Sequence, residues 1–177
     1  LHLLLDDTPI DLIAERVDLA LRVGRFTDSA LVARRLGELQ RQLCAAPRYL
    51  AERGHPQHPR DLERHACITL GEDERDRHWR FERAGEAATV AVRGRYVANH
   101  SEVRLEAALS HLGIASLPGF TARAALERGD LVAVLPDWQH KTSYAGTAWL
   151  LYPPNRFLPA KLRVWIDHLV LGFAGVE

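Results

Sequence analysis

The chain has 177 residues, 47% of them hydrophobic and 26% charged, an ordinary globular composition that fills one large domain or two small lobes. Lys plus Arg and Asp plus Glu both number 23, so the formal charge is zero, which argues against direct binding to nucleic acid, where affinity rests on a basic excess. No apolar run approaches the ~20 residues of a membrane span, and no signal peptide is visible.

Leu1 stands inside an apolar run in a chain without methionine, so the sequence reads as an excised fragment that begins within a strand. Residues 1–5 are that strand. Thr8 suits an N-cap, Pro9 the first helical turn, and Ile10, Ile13 and Val17 keep helical spacing. Asp18-Leu-Ala-Leu-Arg-Val-Gly24 reads as a second strand, which makes a β-α-β unit with parallel strands. Residues 31–46 form a long extended run interrupted at Gly37, long enough to pass from one lobe into another. Residues 47–54 are a short helix stopped by Gly54. An ordered proline-rich loop follows over 55–60, then one helical turn over 61–64 and a buried strand over 66–70. The charge run Gly-Glu-Asp-Glu-Arg-Asp-Arg-His over 71–78 is solvated loop. Residues 78–83 and 86–99 flank Ala84-Gly85 and read as a hairpin, with Val90, Val92 and Tyr96 on one face.

Residues 99–120 organise the rest: loop, helix, glycine stop, buried strand and turn. Ser101 is the expected N-cap. Val103, Leu105, Ala107, Ala108, Leu109 and Leu112 are the expected packing face, and Gly113 the left-handed stop. Ile114 to Leu117 is the strand, ended by Pro118-Gly119. A second helix over 121–128 closes at Gly129. Residues 131–135 are a strand and 136–146 a polar loop carrying Trp138. Residues 147–152 are the next strand, and 158–173 the last helix, with Leu162, Trp165, Ile166, Leu169 and Val170 as its buried stripe. Strands alternate with helices, so the class is α/β.

Few residues suggest chemistry. His55 and His58 lie on a proline-rich loop without the cysteines or carboxylates that would complete a metal set. Cys44 and Cys67 lack metal or redox spacing and read as buried small hydrophobes. Ser101 beside His100 is adjacency, not a nucleophile–base geometry, and there is no Gly-x-Ser-x-Gly elbow. Trp79, Trp138, Trp149 and Trp165 are scattered core candidates. The residues carry no enzyme signature, and no cofactor or metal is expected. Two places remain where polar side chains interrupt the pattern at strand ends: Arg25, Phe26 and Thr27, and Asn99, His100 and Ser101. A cleft lined by these would suit a small anionic ligand, aided by the positive end of the helix over 101–112.

An ordered series of motifs then resembles one family, the effector-binding domain of LysR-type transcriptional regulators. The matches are Asp11-Leu-Ile through Asp18-Leu-Ala-Leu-Arg-Val-Gly24, Leu31-Val-Ala-Arg-Arg-Leu-Gly37, Cys44-Ala-Ala-Pro-Arg-Tyr-Leu50 and His58-Pro-Arg-Asp-Leu62. Trp79-x-Phe81, Gly94, Asn99 and Leu112-Gly-Ile-Ala-Ser-Leu-Pro118 follow, then Val134-Leu-Pro-Asp-Trp138 and Tyr152-Pro-Pro with Leu158-Pro-Ala-Lys-Leu162. The resemblance covers essentially the whole chain. It implies a periplasmic-binding-protein-like (type 2) α/β fold of two lobes joined by two crossover strands. One lobe would take residues 1–44 and 149–177 and the other residues 45–148. By match, an effector cleft between lobes would be lined by Arg25, Phe26, Asn99, His100, Ser101, Pro118, Gly119 and Phe120, with Thr69 and Leu70 as further candidates.

The resemblance further implies a cytoplasmic homodimer or higher homo-oligomer that binds a small-molecule effector. Residues 1–5 and the helix over 101–112 would lie in the side-by-side antiparallel interface. DNA would be reached only through an N-terminal helix-turn-helix that this sequence lacks, along with the family's linker helix and first strand and helix. No membrane partner is implied. A free-standing periplasmic solute-binding protein shares the fold and is the alternative reading; a cytoplasmic enzyme is the third.

Overall fold

The structure, a computed structural model, describes residues 1–5, 10–24, 30–71, 74–142, 144–154 and 157–173. In chain order the strands and helices are β1 (Ala20–Val23), β2 (Val32–Leu39), β3 (Arg41–Ala45), α1 (Pro47–Arg53), β4 (Cys67–Ile68), β5 (His78–Arg83), β6 (Glu86–Ala91), α2 (Ser101–Leu109), β7 (Ile114–Pro118), α3 (Gly119–Arg128), β8 (Val132–Ala133), β9 (Gln139–Lys141), β10 (Gly146–Tyr152) and α4 (Ala160–Phe173). Short 3-10 helices occupy Pro59–Arg64 and Glu74–Arg77. The chain divides into two units, one formed by Leu1–Glu38 with Gly146–Glu177 and the other by Leu39–Ala145. Arg41, Gln42 and Leu43 pair with β7 and so belong to the second unit.

In the first unit β10 lies between β1 and β2. β1 runs antiparallel to it, Ala20 opposite Leu151 and Val23 opposite Ala148. The centre of β10 is buried at Ala148, Leu150 and Leu151, whereas Leu21 and Val23 of β1 are exposed. The Trp149 indole donates to the Gly24 carbonyl at 3.1 Å, and the Thr147 hydroxyl donates to Glu38 at 2.6 Å. Of the stripe expected on α4, Ile166 is buried, Leu162, Leu169 and Val170 are half-buried, and Trp165 is exposed.

Among the described residues the parallel β-α-β unit expected at the start of the chain is not formed. Residues 1–5 hold no strand, and Leu1, Leu3, Leu4 and Leu5 are exposed. Apolar residues alone do not make a strand, because a strand needs a partner for its backbone groups. Thr8 and Pro9 lie outside the described residues. The helix expected over 10–17 is a single turn. The Asp11 carboxylate accepts the amides of Ile13 and Ala14 at 2.9 and 3.1 Å, and Arg16 takes a positive φ of 54° that ends the turn. The Asp11 side chain thus caps the start of this turn, within which the Glu15 amide donates to the Asp11 carbonyl at 2.9 Å.

The second unit carries two sheets. The larger has the order β4-β7-β3-β8, with β3 antiparallel to β7 and β8, and β4 parallel to β7. The smaller has the order β6-β5-β9. Ala84 and Gly85, with φ of 43° and 86°, turn β5 into β6, the paired left-handed conformation that suits a two-residue hairpin. The extended run over 31–46 breaks at Gln40 rather than Gly37, and the loop expected over 136–146 contains β9. Leu43, Leu50, Leu62, Ile68, Phe81, Val90, Val92, Ile114 and Leu117 lie in one buried cluster. A side chain at Gly113 would run into the Ala66 carbonyl. Glycine there lets the Ile114 amide donate to Ala66 at 2.9 Å and start β7 against β4.

Candidate functional site

β4 and β7 are parallel neighbours, so their carboxyl ends leave the sheet on the same edge. Thr69 follows β4 and is buried. Its amide donates to Tyr96 at 3.3 Å, and its carbonyl accepts from Ala98 at 3.1 Å. These bonds draw residues 96–98 alongside β4, so that Asn99, His100 and the start of α2 arrive at that edge. β7 ends at Pro118, and α3 begins at Gly119, whose amide donates to Gln40 at 3.0 Å. The Thr121 hydroxyl donates to Ser101 Oγ at 3.4 Å, joining the first turns of α2 and α3.

Of the residues expected at the site, Thr69, Leu70, Asn99, His100, Ser101, Pro118, Gly119 and Phe120 therefore come to one edge of the larger sheet of the second unit. Asn99, His100 and Phe120 are exposed; Leu70, Ser101, Pro118 and Gly119 are half-buried. Arg25 and Phe26 lie outside the described residues. Ser101 is not the N-cap. His100 takes that position with φ −101° and ψ 128°, and no side chain caps either α2 or α3. Helix N-termini without side-chain caps present backbone amides and the positive end of the helix dipole. Glu102 stands in the first turn of α2, whereas the first turn of α3 has no acidic residue, so α3 offers the more positive end.

The far end of α2 also departs from expectation. The helix stops at Leu109, and His111, with φ 62°, occupies the left-handed position assigned to Gly113. The Leu112 amide donates to Ala107 and that of His111 to Ala108, the paired bonds of a Schellman stop. The buried face is Arg104, Ala107 and Ala108, while Val103 and Leu112 are exposed. An arginine on the packing face was missed because apolar spacing favoured its neighbours. The signal was present: Ala107 and Ala108 stand three and four residues after Arg104, on the same side of a helix.

Beneath this edge lies a buried polar cluster that sequence reasoning also missed. Ser116 Oγ and His140 Nδ1 are 2.7 Å apart, and both residues are buried. The His140 ring stacks on Phe81, with centroids 5.0 Å apart, and lies 5.1 Å from Trp79. Burial, with the nearby Arg41 charge, pushes the His140 imidazole down to about 3. The ring is therefore neutral near neutral pH, and Ser116 and His140 form a buried hydrogen bond between uncharged groups. Arg41 donates to the hydroxyl and carbonyl of Ser116, and Arg104 donates to the same carbonyl at 3.1 Å.

Both cysteines are buried and free, and burial raises each thiol to about 12. They flank β7 on opposite sides, Cys44 opposite Ala115 and Cys67 opposite Ile114. Among the described residues no group of three His, Cys, Asp or Glu could hold a metal ion. His58 is a capping residue, accepting from the Arg60 amide at 3.2 Å. No helix among the described residues is long and apolar enough to cross a membrane.

The family described as LysR substrate binding domain matches residues 1–173. The chain is similar to a probable HTH-type transcriptional regulator, LtrA, of Klebsiella pneumoniae, 46% identical over 93% of this chain and 53% of the relative. It is similar to the HTH-type transcriptional regulator PtxR of Pseudomonas aeruginosa, 36% identical over 95% of this chain and 53% of the relative. The chain thus spans about half the length of the curated relatives it matches. Among solved structures it resembles the full-length Vibrio cholerae virulence activator AphB, with TM-score 0.81, 32% identity and coverage of 97% of this chain and 57% of that one. It also resembles the CrgA regulatory domain of Neisseria meningitidis, with TM-score 0.79, 28% identity and coverage of 95% and 81%. The α/β architecture is accordingly the periplasmic-binding-protein-like (type 2) fold of these regulatory domains, and the chain belongs to the LysR substrate-binding domain family.

Proposed function

We propose that this chain is the effector-sensing part of a LysR-type DNA-binding transcriptional regulator and that it binds a small anionic metabolite. The observation that carries the reading is the edge where β4 and β7 end. Two helices without side-chain caps begin there, and their first turns are tied by Thr121 and Ser101. Thr69, Asn99, His100, Ser101 and Pro118 to Phe120 are the binding residues on this reading, with Leu70 beside them and Arg25 and Phe26 completing the set. A ligand that favours one conformational state over another shifts their populations, and a few kcal/mol of differential affinity suffices. The two lobes, the cytoplasmic location, the homodimer or higher homo-oligomer, and contact with DNA only through a helix-turn-helix outside this sequence belong to the same proposal. So does the absence of catalysis, which the relatives named as transcriptional regulators support. The curated relatives, named as transcriptional regulators, favour it over a free-standing solute-binding protein.

A thermal-shift screen of small metabolites tests the reading. A sensor is stabilised by ligands that are recovered unchanged, by ~2.7 kcal/mol at about 100 times the dissociation constant. Chemical turnover of a hit would instead make the chain an enzyme.

A further inference from the structure

The 3-10 helix Pro59–Arg64 is capped by a histidine. His58 stands at the N-cap with φ −139° and ψ 149°, and its Nδ1 accepts the Arg60 amide at 3.2 Å. Pro59 has no N–H, and the Asp61 amide donates to the His58 carbonyl at 2.9 Å. The ring nitrogen therefore serves the first-turn amide that the backbone leaves over. In return Asp61 Oδ2 accepts the amides of His58 and Gln57, each at 2.9 Å. On the far side of the ring, His58 Nε2 lies 3.4 Å from Glu86 Oε1 at the start of β6. A neutral imidazole with its proton on Nε2 satisfies both neighbours, accepting at Nδ1 and donating at Nε2.

The usual cap residues keep their acceptor in mild acid, whereas a protonated imidazole is a donor at both nitrogens. A proton on Nδ1 sets N–H against N–H and abolishes the cap. The surroundings can receive the added charge. The hydrogen bond from Arg83 chiefly lowers Glu86, and the amides of Gln57 and His58 lower Asp61, so both carboxylates stay negative in mild acid. The cations on this side are Arg83, bonded to Glu86 at 3.1 Å and lying 4.3 Å over the Trp138 ring, and Arg64, which acts on Asp61. The His58 ring meets Trp138 edge-on, with centroids 5.1 Å apart. His65, which follows the same helix, is held down by burial and takes its proton only in stronger acid.

We propose that His58 is a proton-operated cap, so that mild acid opens residues 57–64 without opening β3 and β7. The imidazolium leaves the Arg60 amide and pairs with Glu86 and Asp61. The open segment takes up a proton that the capped one excludes, so its population rises as pH falls. The segment leads through His65 and Ala66 into β4, and acid thus loosens the chain just before that strand. This switch is independent of any ligand at the β4–β7 edge.

The test is amide exchange of the full chain, followed by NMR from about pH 7.5 to about pH 5 and expressed as protection against the intrinsic rate at each pH. Protection of the Arg60 and Asp61 amides is expected to fall about fivefold over this range, the size of one lost cap. His58→Asn keeps a cap that does not titrate and should hold these amides at a constant protection, with β3 and β7 following the same pH profile as in the wild type. His58→Ala should expose the same amides at every pH. Glu86→Gln removes a carboxylate that receives the charged ring and should move the fall to lower pH. An equal fall in the wild type and His58→Asn, or no fall in the wild type, overturns the proposal. Glu86 is exposed, so if His58→Asn does not fold, Glu86→Gln retains the test, and an unshifted profile there overturns it.

Discussion

The two units of the chain bury their apolar residues very differently. The second unit closes two sheets and three helices around one cluster in which Phe81, Leu50, Leu62, Ile114 and Leu117 lose nearly all contact with solvent. The first unit has a three-stranded sheet and one long helix, and it leaves Leu1, Leu5, Val164 and Leu171 largely exposed. Both stretches are apolar in sequence. Apolar character drives burial only where a second layer exists to receive it. The second unit supplies both layers from contiguous chain, whereas the first assembles its sheet from strands far apart in sequence. Its stability is therefore expected to be lower, with faster amide exchange in β1 and β2 than in β3 and β7.

The largest break in this contrast should come from Phe81→Ala. The ring is fully buried against His140 and Trp79, so its loss is expected to cost ~3–5 kcal/mol by denaturant unfolding. Leu171→Ala, on an exposed face of α4, should change stability by about 0.5 kcal/mol or less. Equal effects would remove the distinction between the units.

Acid should next separate them. His140 in the second unit is neutral when folded, with its proton affinity depressed to about 3 from an ordinary value of 6.5. The unfolded chain therefore binds the extra proton first. The contribution is fully present above pH 6.5 and declines as pH falls from there towards 3, by up to ~1.4 kcal/mol per pH unit. Burial lowers His65 as well, in the same unit and with the same sign. Unfolding followed at Trp79 and Trp138 should show this slope, and His140→Gln should flatten it. A slope unchanged in His140→Gln would assign the acid sensitivity elsewhere.

The thiols give a finer test. Cys44 and Cys67 lie in the second unit, buried, with burial raising both thiols to about 12. A thiol-specific chromogenic reagent should label them only as fast as this unit opens. Labelling within the mixing time would contradict its closed packing.

The smallest effect concerns the edge itself. Ser101→Ala removes the acceptor of a 3.4 Å hydrogen bond from Thr121 but no N-cap, because His100 occupies that position. Its cost is expected to stay below the ~1 kcal/mol typical of a lost cap. A cost of cap size would restore Ser101 to the role its position in the sequence suggests.

Local order was readable from residue types. Gly54 with φ 87° and Gly129 with φ 79° end α1 and α3 as expected, and Ala84-Gly85 turns the hairpin. Such signals depend on only a few neighbouring backbone torsions. Asn99, His100 and Ser101 stand out in the sequence as polar residues at a helix start, whereas Thr69, Leu70 and Pro118 to Phe120 are singled out by resemblance to the family; the structure puts them after β4, at the start of α2 and at the β7–α3 junction. The Arg41–Arg104–Ser116–His140 cluster was not legible. Arg41 and Ser116 are 75 residues apart, and no periodicity ties a charged side chain to a carbonyl across a sheet.

By itself the sequence determined the α/β class, most element positions, and the stops at Gly54 and Gly129, since these follow from propensity, period and local sterics. Tertiary structure decided what the local rules leave degenerate. It paired β1 antiparallel with β10, seated Arg104 rather than Val103 against β7, and left residues 1–5 without a strand. The physical reason is common to all three. Pairing and burial are settled by whichever surface is available to receive them, and that surface comes from residues distant in the chain.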